Sequence, residues 1–169
     1  MKALLIQLSH ADRSAALFPI GISCIASSLE EIGCEVDVLD IFALGYSQDD
    51  TTKYLSRGDW DLFGISAFST QYKWAKWMAA ETKRLHPNSI VIMGGPLPTF
   101  NPEIVLKNTQ TDFCVISEGE ETIKDLAMNL GTPEKVPGIY FKTAEGEIVN
   151  TVARPYIHDL DSLPLTKYE

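Results

Sequence analysis

Short apolar runs and longer stretches of helical spacing take turns along this chain. Residues 2–8 (K-A-L-L-I-Q-L) form a largely apolar run of strand length. A polar-to-small loop over 9–18 follows, and Pro19 then suits the first position of a helix, where a missing N–H costs nothing. Ile22, Ile25, Leu29 and Ile32 recur at spacings of 3, 4 and 3 along one face of that helix, and Gly33 is placed to end it in the left-handed conformation. Glu35–Asp40 alternates, as a half-exposed strand near a sheet edge does. The stretch 41–58 has poor periodicity, with a short helix over Gln48–Leu55. Residues 61–67 (D-L-F-G-I-S-A) read as a buried strand whose internal Gly64 points to close backbone packing.

Ser69 or Thr70 is expected to cap a long helix to Leu85, stopped by His86-Pro87, with Trp74, Trp77, Met78, Glu81 and Leu85 as its mostly apolar stripe. Ile90, Val91, Ile92 and Met93 form a run apolar on both faces, which then breaks into G-G-P-L-P-T over 94–99. Asn101-Pro102 starts a short helix to Lys107, and 112–116 (D-F-C-V-I) is another buried strand. Ser117 is expected as N-cap of the next helix, with Glu120 completing a capping box and Ile123, Leu126, Ala127 and Leu130 as the apolar face.

This is β-α repeated five times with short connections, the pattern of an α/β doubly wound parallel sheet of five strands, simplest in the order 2-1-3-4-5. Its switch point lies between strands 1 and 3. The loops 9–18, 66–71 and 94–99 converge there, with 117–120 beside them. After Gly131 the pattern changes: 138–142 and 147–151 read as a β-hairpin turned at Gly146, and 154–169 as an irregular connection. We therefore expect a body over 1–135 and a hairpin with linker over 136–169.

The 169 residues suit one domain, with 45% hydrophobic and 22% charged content. A net charge of −9, with Lys and Arg scattered, argues against nucleic acid or an anionic membrane as partner. The first residues lack a signal-peptide pattern and no apolar run is of membrane-spanning length, so a cytoplasmic location is expected. Cys24, Cys34 and Cys114 have no disulfide, zinc or iron–sulfur spacing and read as free, buried core residues. His10 stands near the converging loops as a solvated histidine, while His86 and His158 read as surface residues.

No phosphate-binding G-x-x-x-x-G-K-[ST], no G-x-G-x-x-G after strand 1 and no G-x-S-x-G elbow is present, and the acidic cluster of a phospho-acceptor site is absent. The converging loops instead carry Ser66, Ala67, Phe68, Ser69, Thr70, Gly94, Gly95, Leu97 and Thr99, a lining for a bulky, largely uncharged ligand. The glycine pair admits close approach of a ligand or makes a tight turn. Ser66 and Ser69 cap a helix or touch the ligand, and the 118–120 acidic pair serves the helix start or the site.

The segments P-I-G-I-S-C-I-A-S-S-L-E-E-I-G-C-E-V-D-V-L-D (19–40), D-L-F-G-I-S-A-F-S (61–69), G-G-P-L-P-T (94–99), I-S-E-G-E-E-T (116–122), P-G-I-Y-F (137–141) and I-H-D-L-D-S-L-P (157–164) occur in the order that resembles the N-terminal cobalamin-binding domain of B12-dependent radical SAM enzymes. The resemblance implies a flavodoxin-like fold with the corrin over the carboxyl ends of the strands and the nucleotide tail descending beside strands 1 and 3. It implies cofactor contacts from Phe18 and Gly21, from Ser66, Ala67, Phe68 and Ser69, from Gly94, Gly95, Pro96, Leu97 and Thr99, and from Glu118, Gly119 and Glu120. Two positions depart from related patterns. Ala16 and Phe18 stand where D-x-H-x-x-G would place Asp and the cobalt-ligating His, and Leu97 replaces the His of G-G-P-H-P-T.

No C-x-x-x-C-x-x-C is present to hold a [4Fe–4S] cluster, so the cluster and S-adenosylmethionine are expected only in a further domain, and the ending resembles the linker before a radical SAM barrel. The expectation is a cobalamin-binding module without catalytic or metal-ligating side chains of its own, serving methyl transfer or related radical chemistry. The rivals are a degenerate domain that docks or recognises substrate without a cofactor, and a flavodoxin-like nucleotide binder.

Overall fold

Unbroken apolar runs give the central strands two apolar faces. In the computed structural model, which describes residues 1–8 and 18–166, both faces are covered by helices. The strands are β1 (Lys2–Gln7), β2 (Glu35–Asp40), β3 (Leu62–Ser66), β4 (Ile90–Gly94), β5 (Phe113–Val115), β6 (Ile139–Lys142) and β7 (Ile148–Asn150). They form one sheet in the order β2-β1-β3-β4-β5-β6-β7. The first five are parallel in the expected 2-1-3-4-5 order, with β2 at the edge. The hairpin does not stand apart: β6 pairs antiparallel with β5, so the sheet has seven strands rather than five. Val136 and Ile139 are buried in the same core.

On one face Leu4, Ile6, Phe63, Ile65, Val91, Met93 and Cys114 pack with α2 (Ile41–Leu44), α3 (Gln48–Leu55), α4 (Tyr72–Leu85), α5 (Pro96–Phe100) and α6 (Pro102–Asn108). The residues between them, including Leu5, Leu62, Ile92 and Val115, face α1 (Ile20–Glu31) and α7 (Glu120–Met128). Five helices thus lie on one side and two on the other. That imbalance positions the site.

Local readings differ in instructive ways. Pro19 is the N-cap of α1 rather than its first helical residue, whereas Gly33 takes φ 82 as expected. The poorly periodic stretch 41–58 holds two helices. Asp40 caps α2, and a Ser47–Asp50 capping box starts α3. Neither Ser69 nor Thr70 caps α4. A 3-10 turn at Ser69–Gln71 precedes it, and the Gln71 carboxamide oxygen accepts the Phe68 N–H at 2.8 Å. The buried stripe of α4 is Ala75, Met78, Ala79 and Thr82, with Trp74 and Trp77 flanking it, because small residues let the helix sit close to the sheet. The segment 96–100, expected as loop, is helical because Pro96 sits at the helix start, where its fixed φ fits. His86 is half-buried rather than superficial, its Nε2 2.9 Å from the Leu55 carbonyl and its ring 5.2 Å from Phe63.

All three cysteines are free, but Cys24 and Cys34 are half-buried and only Cys114 lies fully inside, so the expectation of three buried thiols holds for one. Burial pushes the Cys114 thiol up to about 12. Native protein at pH 8 should leave Cys114 unalkylated by iodoacetamide until unfolded, as read by peptide mass spectrometry. Because the folded value lies above the ordinary one near 9, its stabilising contribution is full below pH 9 and lost as pH rises toward 12.

Candidate functional site

The two-helix face is where the sheet is left partly bare. Register places Leu5 of β1, Gly64 of β3 and Ile92 of β4 in one row, and Ser66 beside Gly94 in the next. Gly64 and Gly94 present no side chain, while α1 packs beside β1 and β2 and against α7. Lys124 pins the two helices together, reaching Glu31 at 2.9 Å and Glu121 at 2.7 Å. A cavity of about 330 Å³ remains over β3 and β4, roofed by Ile22 and Ile25 of α1 and Ile123 of α7. Glycine keeps its walls apart. A Cβ on Gly64 would lie 2.5 Å from Leu5 Cδ2, and one on Gly119 would lie 2.9 Å from Ile25 Cδ1.

The rim is laced by backbone hydrogen bonds. The Ala67 N–H donates to the Gly94 carbonyl at 3.1 Å, and the Leu97 N–H donates to the Ala67 carbonyl at 2.9 Å. Gly95, at φ 90, passes so close that a Cβ there would lie 3.1 Å from the Ala67 oxygen. Only glycine meets both demands. Ser117 sits at φ 61 and its N–H donates to Thr99 Oγ1 at 3.1 Å.

The expected capping box at Ser117 is therefore not formed: Gly119 is the N-cap of α7 and makes no side-chain cap bond. Ser117 lies instead in the left-handed region between β5 and α7. Gln71, buried and overlooked by the motif reading, donates from Nε2 to the Leu8 carbonyl at 3.1 Å, tying the end of β1 to the loop after β3.

Gly21, Ser66, Gly94, Gly95, Glu118, Gly119 and Glu120 gather around this cavity. The other expected contacts do not line it. Ala67 and Leu97 are buried in the core on the opposite face. Phe18, Phe68 and Ser69 are exposed outside it, Pro96 begins α5, and Thr99 supports Ser117. His10 and Ala16 lie outside the described residues. Leu5, Ile25 and Gly64 are walls that the motif pattern does not single out, although a glycine inside a strand is a signal for close approach.

The carboxylates at the rim have different surroundings. Glu118 Oε2 accepts the Ile157 N–H at 2.7 Å, which brings the C-terminal connection to the cavity edge. That connection is further held by an Arg154–Asp125 ion pair and by Ser27 Oγ donating to the Leu165 carbonyl at 3.2 Å. Glu120 Oε2 is sealed from solvent and has no hydrogen-bond partner among the described residues. Burial, and then the nearby Glu120 charge, push the Cys24 thiol up, so it is no thiolate nucleophile. Among the described residues no three His, Cys, Asp or Glu side chains cluster to hold a metal ion, and no helix is long and apolar enough to cross a membrane.

A family model for the B12 binding domain matches residues 11–127. An uncharacterized methyltransferase of Pyrococcus horikoshii is 30% identical over 154 residues, covering 89% of this chain and 33% of that protein. The chain thus spans about a third of that relative's length. Among solved structures, the radical S-adenosylmethionine methyltransferase TsrM from Kitasatospora setae with cobalamin and a [4Fe–4S] cluster bound is similar with a TM-score of 0.77 and 19% identity, over 96% of this chain and 31% of that one. The cobalamin-dependent S-adenosylmethionine radical enzyme OxsB with aqua-cobalamin and S-adenosylmethionine bound gives 0.76 and 23%, over 92% and 22%. At these identities the two structures are alike in fold.

The strained rim residue yields a test of local geometry. Ser117→Val should destabilise the protein by about 1–2 kcal/mol in urea unfolding, because a β-branched side chain resists the left-handed region, whereas Ser117→Gly should not destabilise it by more than a few tenths.

Proposed function

We propose that this chain, which belongs to the B12-binding domain family, binds cobalamin with its nucleotide arm in the cavity over β3 and β4 and its corrin above the strand ends. The observation that carries the reading is the glycine-floored cavity. Its volume of about 330 Å³ admits a nucleotide-sized group and excludes a corrin macrocycle. Its walls are mainly aliphatic, which suits a flat, uncharged base, and its mouth opens at the carboxyl ends of parallel strands beside the switch point. The residues present therefore fit the group.

In this reading Ser66, Gly94, Gly95, Glu118, Gly119, Glu120 and Gly21 surround the arm. Phe18, Ala67, Phe68, Ser69, Pro96, Leu97 and Thr99 shape or support the surface on which the corrin rests. Phe18 and Leu97 offer no metal-ligating atom, so neither supplies cobalt with an axial ligand. Bound cobalamin supplies a cobalt centre able to carry a methyl group. This chain's own residues hold the cofactor and shield its arm from water.

The reading extends to a radical SAM domain of the same parent protein as the partner, with the [4Fe–4S] cluster and S-adenosylmethionine held there. The similarity of about a third of a longer methyltransferase supports it. Residues 1–135 are the cofactor-binding body and 136–169 the hairpin and connection, and the free thiols fit a cytoplasmic setting.

Protein incubated with a mixture of hydroxocobalamin and FMN should retain the corrinoid and not the flavin, as read by absorbance after gel filtration and by calorimetry. Retention of neither would favour a docking domain, and retention of FMN a nucleotide binder. Gly64→Ala should keep the fold, with stability lowered by about 1 kcal/mol. It should weaken cobalamin binding about tenfold, because the new methyl drives Leu5 into the cavity. Undiminished binding by this variant would place the arm elsewhere.

A further inference from the structure

The cavity is aliphatic except at its rim, and one polar atom there has no partner among the described residues. Glu120 lines the cavity, and its Oε2 is sealed from solvent with no hydrogen-bond partner among the described residues. A buried carboxyl oxygen left unsatisfied is costly, and native structures retain such groups where something else is to meet them. Helix stabilisation does not explain it. Glu120 is in the first turn of α7, where the helix dipole favours a negative charge, but that position gives Oε2 no hydrogen-bond donor among the described residues. Its neighbour Glu118 shows the contrast, since that carboxylate is committed to the Ile157 N–H at 2.7 Å. Cys24, the other titratable group beside Glu120, is a protonated thiol and donates no hydrogen bond to Oε2 among the described residues.

We infer that Glu120 Oε2 is the acceptor for a neutral hydrogen-bond donor of the ligand that enters this cavity, a hydroxyl or an amide N–H. The inference rests on the cobalamin reading and adds to it the residue that selects the ligand's polar group. A carboxylate placed there also repels an anionic group, so a phosphate does not enter as deep as this oxygen. In a cobalamin the donor chemistry has two sources, the ribose hydroxyl of the nucleotide arm and the amides of the corrin periphery.

Glu120→Ala separates this role from a structural one. The variant without ligand should melt at the wild-type temperature or above it, because an unsatisfied buried oxygen has been removed. Its affinity for hydroxocobalamin should fall by about tenfold or more, the loss expected for a hydrogen bond to a carboxylate. Parallel titration with cobinamide, which lacks the nucleotide arm, identifies the source. A loss confined to hydroxocobalamin assigns the donor to the ribose, and an equal loss with both assigns it to a corrin amide.

Wild-type affinity of Glu120→Ala for both corrinoids would overturn the inference while leaving the cobalamin reading intact. A lower melting temperature for the ligand-free variant would overturn it as well, since the oxygen would then have a partner within the protein itself. Failure of the underlying reading has its own signature, wild-type protein that binds neither corrinoid.

Discussion

The absence of a side chain at Gly64 sets the rest of this architecture. A central strand of a parallel sheet is ordinarily apolar on both faces, and β3 obeys that rule toward α4 with Phe63 and Ile65. Toward α1 and α7 it presents Leu62, then Gly64 with no side chain, and then Ser66 at the cavity rim. Leu5 occupies part of the vacated space from the neighbouring strand, which is why an added Cβ would strike its terminal methyl. Gly94 repeats the omission one strand over and one row higher. With two helices on that side among the described residues, the gap is not refilled, and a space that would be core in another sheet remains a cavity.

A cavity beneath two helices needs fixed walls. Lys124 joins α7 to α1 through Glu31, and the rim loops are joined by main-chain bonds among Ala67, Gly94 and Leu97. Leu97 matters here through its backbone and through its burial on the five-helix face. A histidine at that position in related motifs would have to leave that core to meet a ligand. The connection over 154–165 adds a third layer of restraint: Glu118 couples the cavity rim to Ile157, so the path of the chain toward its C-terminal side and the shape of the site are mechanically linked.

The parallel order, the edge position of β2 and the glycine turns at Gly33 and Gly146 were legible in the sequence because each follows from local periodicity or from a positive φ that glycine alone accepts readily. The same logic failed at Ser117 and Glu120. Their spacing satisfies a capping box, but the turn out of β5 places Ser117 in the left-handed region, and a tertiary hydrogen bond from its N–H to Thr99 Oγ1 holds it there. The helical segment 96–100 and the sheet-joining hairpin were hidden for a related reason. Proline reads as a breaker until its place at a helix start is known, and a hairpin does not declare which edge it will join. Seven of the fourteen expected contacts meet at one cavity, because the motif reading follows loops whereas the cavity follows one face of the sheet.

These features have a common energetic direction. An open apolar cavity, a serine held at positive φ and a carboxyl oxygen without a partner among the described residues each cost stability, on the order of 1 kcal/mol or more apiece. The three sit within one small region of the fold. A ligand that fills the cavity and donates to Glu120 would offset two of the three at once, and any species bound by the folded chain alone stabilises it further through mass action. Local costs that cluster at a strand-end cleft, and that a single occupant can relieve, are the physical mark of a binding site rather than of a loosely assembled core.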